Sequence, residues 1–212
     1  MKTNDLIRLL ASDHAAPRSD LSGRLAVGAL AGAGLSLSAL LFVLGARPDI
    51  DALASNWRLT VKFAVALSFA VTGAVLSLRL ARPFAANGYI WLMLLPAPLI
   101  LAGACAFELM VTPPEEWARR VMGANALACL LSIPLFSALP LAGIVWALRE
   151  GAPASTEQAG IAAGAMAAGI GAAVYALHCR DDSPLFLALW YVAATTVVVI
   201  AGRFSGSRLL RW

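Results

Sequence analysis

His178-Cys179-Arg180-Asp181-Asp182-Ser183-Pro184 sets an imidazole, a thiol, two carboxylates and a helix breaker between two almost wholly apolar runs, residues 158–177 and 185–200. A turn so short and polar between such runs belongs at a membrane surface. A charge at the bilayer centre costs roughly 2.5–3.5 kcal/mol even on the lenient insertion scale. The turn is therefore expected to stand in water, with Cys179 open to reagents from that side. The flanking runs are expected to be membrane helices.

The rest of the chain agrees. Of its 212 residues 60% are hydrophobic and 13% charged, with a mean hydropathy of +0.79, whereas soluble domains run near 25% charged. Six apolar runs, at 25–45, 59–80, 89–111, 121–148, 159–178 and 185–202, each approach the roughly 20 residues that cross about 30 Å of hydrocarbon. The predicted fold is all-α, a polytopic membrane protein with six transmembrane helices. Its parts are an amino-terminal arm (1–23), a helical domain (24–204) and a short tail (205–212). No small-residue cleavage pattern ends the first run, so no removable signal peptide is expected.

Composition along the runs predicts their packing. Gly28 and Gly32 in the first, and Gly160 and Gly164 in the fifth, give small-xxx-small faces, which Ala163, Ala167 and Gly171 extend. Pro96 and Pro98 should bend the third helix, and Pro134 and Pro140 the fourth, where neighbours can satisfy the freed carbonyls.

Loop charges set the orientation. With six spans, both termini share a side with Lys2, Arg8, Arg18, Arg24, Arg79, Arg82, Arg149, Arg203, Arg208 and Arg211. The opposite side has Arg47, Arg58, Lys62, Arg119, Arg120 and Arg180. The positive-inside rule then puts both termini in the cytoplasm and the His178–Cys179 turn outside. The net charge of +4 is scattered over segment ends, which speaks against direct binding of nucleic acid.

Three cysteines, Cys105, Cys129 and Cys179, fall in the outer half of the predicted helices and form no CxxC motif. Cys129 and Cys179 could hold a soft metal ion, copper or zinc, or form a labile disulfide. They could equally be small hydrophobes that fill gaps, the reading favoured for Cys105. His178 is either an added ligand or an interfacial cap. Asp181 and Asp182 are read as keeping the turn in water and capping the sixth helix. Lys62 and Glu108, the two charges inside apolar runs, are expected to snorkel or to pair with each other. No resident cofactor is expected. Hydrolase, kinase and nucleotide-binding motifs are absent, so no enzyme is predicted. A small-molecule or metal permease stays open as an alternative, although mid-membrane charges and internal symmetry are missing. A redox partner using Cys129 and Cys179 ranks behind it.

At the amino terminus Thr3 or Asn4 could cap a short helix whose Leu6, Ile7, Leu9 and Leu10 form one apolar stripe. An isolated helix of that length is marginal in water, so the stripe needs a partner surface. Most of the expected cytoplasmic mass lies in this arm, and a soluble partner would bind there.

Several stretches together resemble the NrsF family. They are Met1-Lys2-Thr3-Asn4-Asp5-Leu6-Ile7, Arg47-Pro48-Asp49, Cys129 with Leu131-Ser132-Ile133-Pro134, Tyr175-Ala176-Leu177-His178-Cys179, Asp182-Ser183-Pro184, Trp190-Tyr191 and Arg208-Leu209-Leu210-Arg211-Trp212. Cys105 stands outside the pattern. The resemblance implies a bacterial inner-membrane anti-sigma factor. Its cytoplasmic arm would hold an extracytoplasmic-function (ECF) sigma factor, and outward cysteines at Cys129 and Cys179 would sense metal stress.

Overall fold

The computed structural model describes residues 5, 20–49, 55–83 and 88–210. The described residues form helices and no strands: α1 (Leu21–Val43), α2 (Trp57–Leu80), a 3-10 segment (Gly88–Leu94), α3 (Pro96–Val111), α4 (Pro114–Met122), α5 (Ala126–Leu148), α6 (Thr156–Ala176) and α7 (Pro184–Leu209). Five of these are long and apolar enough to cross a membrane. A sixth span results if the 3-10 segment and α3, bent 44° to each other, count as one. At about 1.5 Å per residue, the 16 residues of α3 reach only about 24 Å. The 3-10 piece has to supply the rest.

The six runs map onto these spans with three differences. The third is broken at Pro96, the first residue of α3, which has no N–H with which to carry the hydrogen-bond ladder on from the 3-10 segment. The fourth does not begin at 121, because Gly123 takes a φ of +58° and ends α4. A side chain there would be strained by that backbone and would run into the Phe186 ring. The sixth runs on to Leu209, with a π turn at Leu187–Tyr191 that inserts one extra residue into the helix.

Helix α6 is the axis of the bundle. It is built of Ala and Gly, and 83% of its apolar window is buried, against 22% for α1. Its small residues let α2, α5 and α7 approach until backbones touch. Gly160 and Gly164 face Gly202, Gly206 and Val199 of α7, Gly169 faces Ala70 of α2, and Gly171 faces Ser137 of α5. Helix α1 lies against α5 in the same way, Gly28 on Gly143 and Gly32 on Pro140. The expected small-residue faces are thus the actual contact lines. Pro140 cannot donate to the Phe136 carbonyl one turn back, and the Ser36 hydroxyl of α1 donates to it instead at 2.8 Å.

The ends of the bundle differ. At the tail end, exposed pairs join neighbouring helices: Arg24 to Glu150 at 2.9 Å and Arg203 to Glu157 at 2.8 Å. At the turn end Arg47, Lys62, Glu108 and Asp182 are buried.

Candidate functional site

The 178–184 turn does not stand in water. Arg180 alone of its seven residues is exposed, and Cys179, Asp182 and Pro184 are buried. Three carboxylates explain why. Asp182, 8% exposed, lies between Arg47 and Lys62, which are 4% and 0% exposed. Arg47 Nη1 and Nη2 donate to the two Asp182 oxygens at 2.8 Å each, and Lys62 Nζ donates to Oδ1 at 3.1 Å. Asn56, whose side chain also caps α2, donates to Asp182 at 3.4 Å.

Glu108, fully buried near the end of α3, accepts from Arg58 and Arg120 at 2.8 Å each, with the Ser183 hydroxyl at 3.5 Å. Asp181 accepts from the backbone N–H groups of Ala124 and Asn125 and from the Asn125 amide, at 3.1, 2.8 and 2.8 Å. It thereby supplies an acceptor at the start of α5. The sequence suggested that Lys62 and Glu108 would snorkel or pair with each other; both are fully buried, and they do neither. Each is neutralised by a different partner set, because the folded turn brings Asp182 to one and α4 brings Arg120 to the other. Nor do Asp181 and Asp182 cap the sixth span, whose N-cap Ser183 makes no side-chain capping bond.

Every donor of the two buried cations has an acceptor. The five guanidinium N–H groups of Arg47 go to Asp182, to Asp49 and to the Cys179 carbonyl (3.0 Å). The three of Lys62 go to the carbonyls of Cys179 and Asp181 (2.9 and 3.0 Å) and to Asp182. The Cys179 carbonyl is thus held by two cations at once. Contact with Arg47 lowers the Asp49 carboxyl to about 2, and the same ion pairs push the Arg47 guanidinium further above its ordinary value.

Cys129 and Cys179 are 0% and 1% exposed, free, and share one buried cluster with Tyr175, Phe186 and Tyr191. Cys129 lies in the first turn of α5, its N–H donating to Asn125. The sequence placed it deeper because it did not register the break at Gly123. The expectation that Cys179 is open to reagents is overturned: the turn folds inward onto Arg47 and Lys62. His178 is directed elsewhere, its Nδ1 lying 2.9 Å from the Gly45 carbonyl. Cys105 contacts the turn through the Pro184 carbonyl at 3.3 Å. Among the described residues no three His, Cys, Asp or Glu side chains converge as metal ligands. A four-coordinate zinc site is therefore not preformed there; two thiols in one cluster are the material at hand. Beneath Lys62 a cavity of about 320 Å³ opens between α2, α3 and α7, with almost wholly apolar walls. Such walls give a hydrated ion no route. Leu6, Ile7, Leu9 and Leu10 lie outside the described residues.

The sequence pattern of the NrsF family, described as a negative regulator of sigma F, matches residues 10–212. The chain belongs to the NrsF family. Two curated relatives agree over their full lengths and that of this chain: "Anti-sigma-F factor NrsF" of Caulobacter vibrioides, 33% identical, and "Probable anti-sigma-F factor NrsF" of Azospira oryzae, 31% identical. No solved structure matches the chain. The NrsF family is regulatory. The sequence missed that Arg47 and Asp182 form the centre of the buried network. A usable signal was Lys62, a cation inside an apolar run that requires a buried partner.

Proposed function

We propose that this chain is an inner-membrane anti-sigma factor of a bacterium. It holds an ECF sigma factor through Leu6, Ile7, Leu9 and Leu10 of its cytoplasmic arm. It releases that partner when Cys129 and Cys179, on the outward side, meet a soft metal ion or an oxidant. The observation that carries the reading is the match to negative regulators of sigma F over residues 10–212, with relatives similar along the whole chain. The orientation follows from the excess of Lys and Arg on the side of the termini. The sensing role rests on two free thiols in one buried cluster, one of them in the turn whose Cys179 carbonyl is held by both Arg47 and Lys62. Buried thiols respond only to signals that enter the protein, which favours small soft ions and oxidants over large ligands.

The test is co-purification of the full chain with the sigma factor. Leu6→Asp and Leu10→Asp are expected to abolish it while the protein still accumulates in the membrane. Ordering a free segment on binding costs about 2–5 kcal/mol, and a carboxylate in the stripe exceeds the margin left. Cys129→Ser and Cys179→Ser are expected to retain the partner but to lose release by copper or zinc salts. Retention of the partner by both arm variants would refute the arm as the holding element.

A further inference from the structure

The Gly45–Arg47 segment, which continues α1, is fastened to the cysteine turn along one seam. The Arg47 backbone N–H donates to the Leu177 carbonyl at 2.8 Å, and His178 Nδ1 meets the Gly45 carbonyl at 2.9 Å. Arg47 Nη1 donates to the Cys179 carbonyl at 3.0 Å, and its fork grips both oxygens of Asp182. We propose that Arg47 is a positioning residue that latches the thiol turn to α1 and so holds the repressing state. The proposal rests on the anti-sigma reading above and adds the route by which the thiols act on the partner's side.

The geometry makes this route direct. A change at the Cys179 sulfur that turns residue 179 also moves its carbonyl, and Arg47 and Lys62 are bonded to that oxygen. Lys62 sits within α2, whereas Arg47 sits on the short extension of α1, the helix that leads back to the arm. Cys129 bears on α1 as well, through Leu40 in its own buried cluster, and further along α5 the two helices pack backbone to backbone at Gly32–Pro140 and Gly28–Gly143. Contacts so close do not deform gradually; packed helices respond by discrete shifts. A guanidinium suits the latch because its planar fork fixes Asp182 and the Cys179 carbonyl together. An ammonium would supply charge without that geometry.

The experiment uses the full-length chain carrying Arg47→Gln, in which Lys62 still neutralises Asp182. Transcription from a sigma-dependent reporter in unstressed cells is expected to rise by about five-fold or more, the low end of ordinary coupling between sites. It should then change little on addition of copper or zinc salt. The rise should persist in Arg47→Gln/Cys179→Ser, since the latch lies downstream of the thiol. In detergent, labelling of Cys179 by a small maleimide, read by peptide mass spectrometry, should quicken by a similar factor. Arg47→Lys should behave like Arg47→Gln. Full rescue by lysine would overturn the proposal, because charge rather than the fork would then hold the turn. If Arg47→Gln fails to accumulate, His178→Ala cuts the same seam elsewhere and should give a smaller rise in the same direction. Wild-type reporter output and labelling rate in whichever of the two accumulates would overturn the latch. If instead the unaltered chain neither retains a sigma factor nor responds to either salt, the functional reading fails. The labelling rates still decide the latch in that case.

Discussion

Asp182 and Glu108 are both buried carboxylates with two basic partners, yet their loss would strand different things. Removing Asp182 leaves Lys62 and Arg47 with side chains 0% and 2% exposed, whereas removing Glu108 leaves Arg58 and Arg120, 29% and 28% exposed and able to reach water. Breaking a buried pair by deleting one partner typically costs about 3–5 kcal/mol. Asp182→Ala is expected to fall in that range and Glu108→Ala clearly below it, measured by thermal unfolding in detergent; equal losses would contradict this partition. At the rim of the same network, Asp49 has its folded-state value lowered to about 2 by contact with Arg47, from an ordinary 3.8. A lowered carboxylate value gives stability that is complete above about pH 3.8 and lost as pH falls through about 2. The Arg47–Asp49 contact is therefore insensitive between pH 5 and 8. Accordingly, Asp49→Asn should alter Cys179 labelling by the same factor at both ends of that range, and a factor that vanishes at pH 5 would disprove it.

Among the elements, the packing of α6 was legible in the sequence because small residues four apart announce where backbones meet. Gly160→Val should push α7 away, since a branched side chain there has only the Gly202 and Gly206 backbone to meet. Overpacking of this kind costs about 1–3 kcal/mol. Gly34→Val and Gly103→Val, which have nothing nearby, should unfold at the wild-type temperature. A finer test concerns the bond between Ser36 and the Phe136 carbonyl. Ser36→Ala should destabilise by about 0.6 kcal/mol, the average for such bonds between membrane helices. In a Pro140→Ala background the loss should nearly disappear, because residue 140 then supplies the missing N–H. A cycle with no coupling would mean that Ser36 does not serve the carbonyl left by the proline. The helix ends were less legible than the helix faces. At the break, Gly123 is a local stop signal, but it stands inside an apolar run, and its packing against Phe186 and Asp181 involves residues about sixty positions later that no window around 121–126 contains.

At the scale of the whole molecule, the sequence disclosed the chemistry of the turn but not its burial. Hydropathy counts Arg, Lys and Asp as residues that seek water. It cannot register that Arg47 and Lys62, 135 and 120 positions away from Asp182, satisfy every donor they have inside the protein. Five of the six spans survived as helices long enough to cross, and the third only as a bent pair, because span length is set by the run alone, while the depth of Cys129 and the exposure of Cys179 depend on tertiary partners. Orientation still follows from the distribution of charge, and the buried turn changes how it should be measured. Cys179 itself is a poor reporter, being closed to impermeant reagents from either side. Arg180 is exposed beside it at the turn end, and Ala154 is exposed at the tail end between α5 and α6. In cells with a permeabilised outer membrane, an impermeant maleimide is expected to label Arg180→Cys and to spare Ala154→Cys. Both should label once the inner membrane is opened. The reverse pattern would place the thiol turn in the cytosol and would overturn the outward sensing role proposed for Cys129 and Cys179.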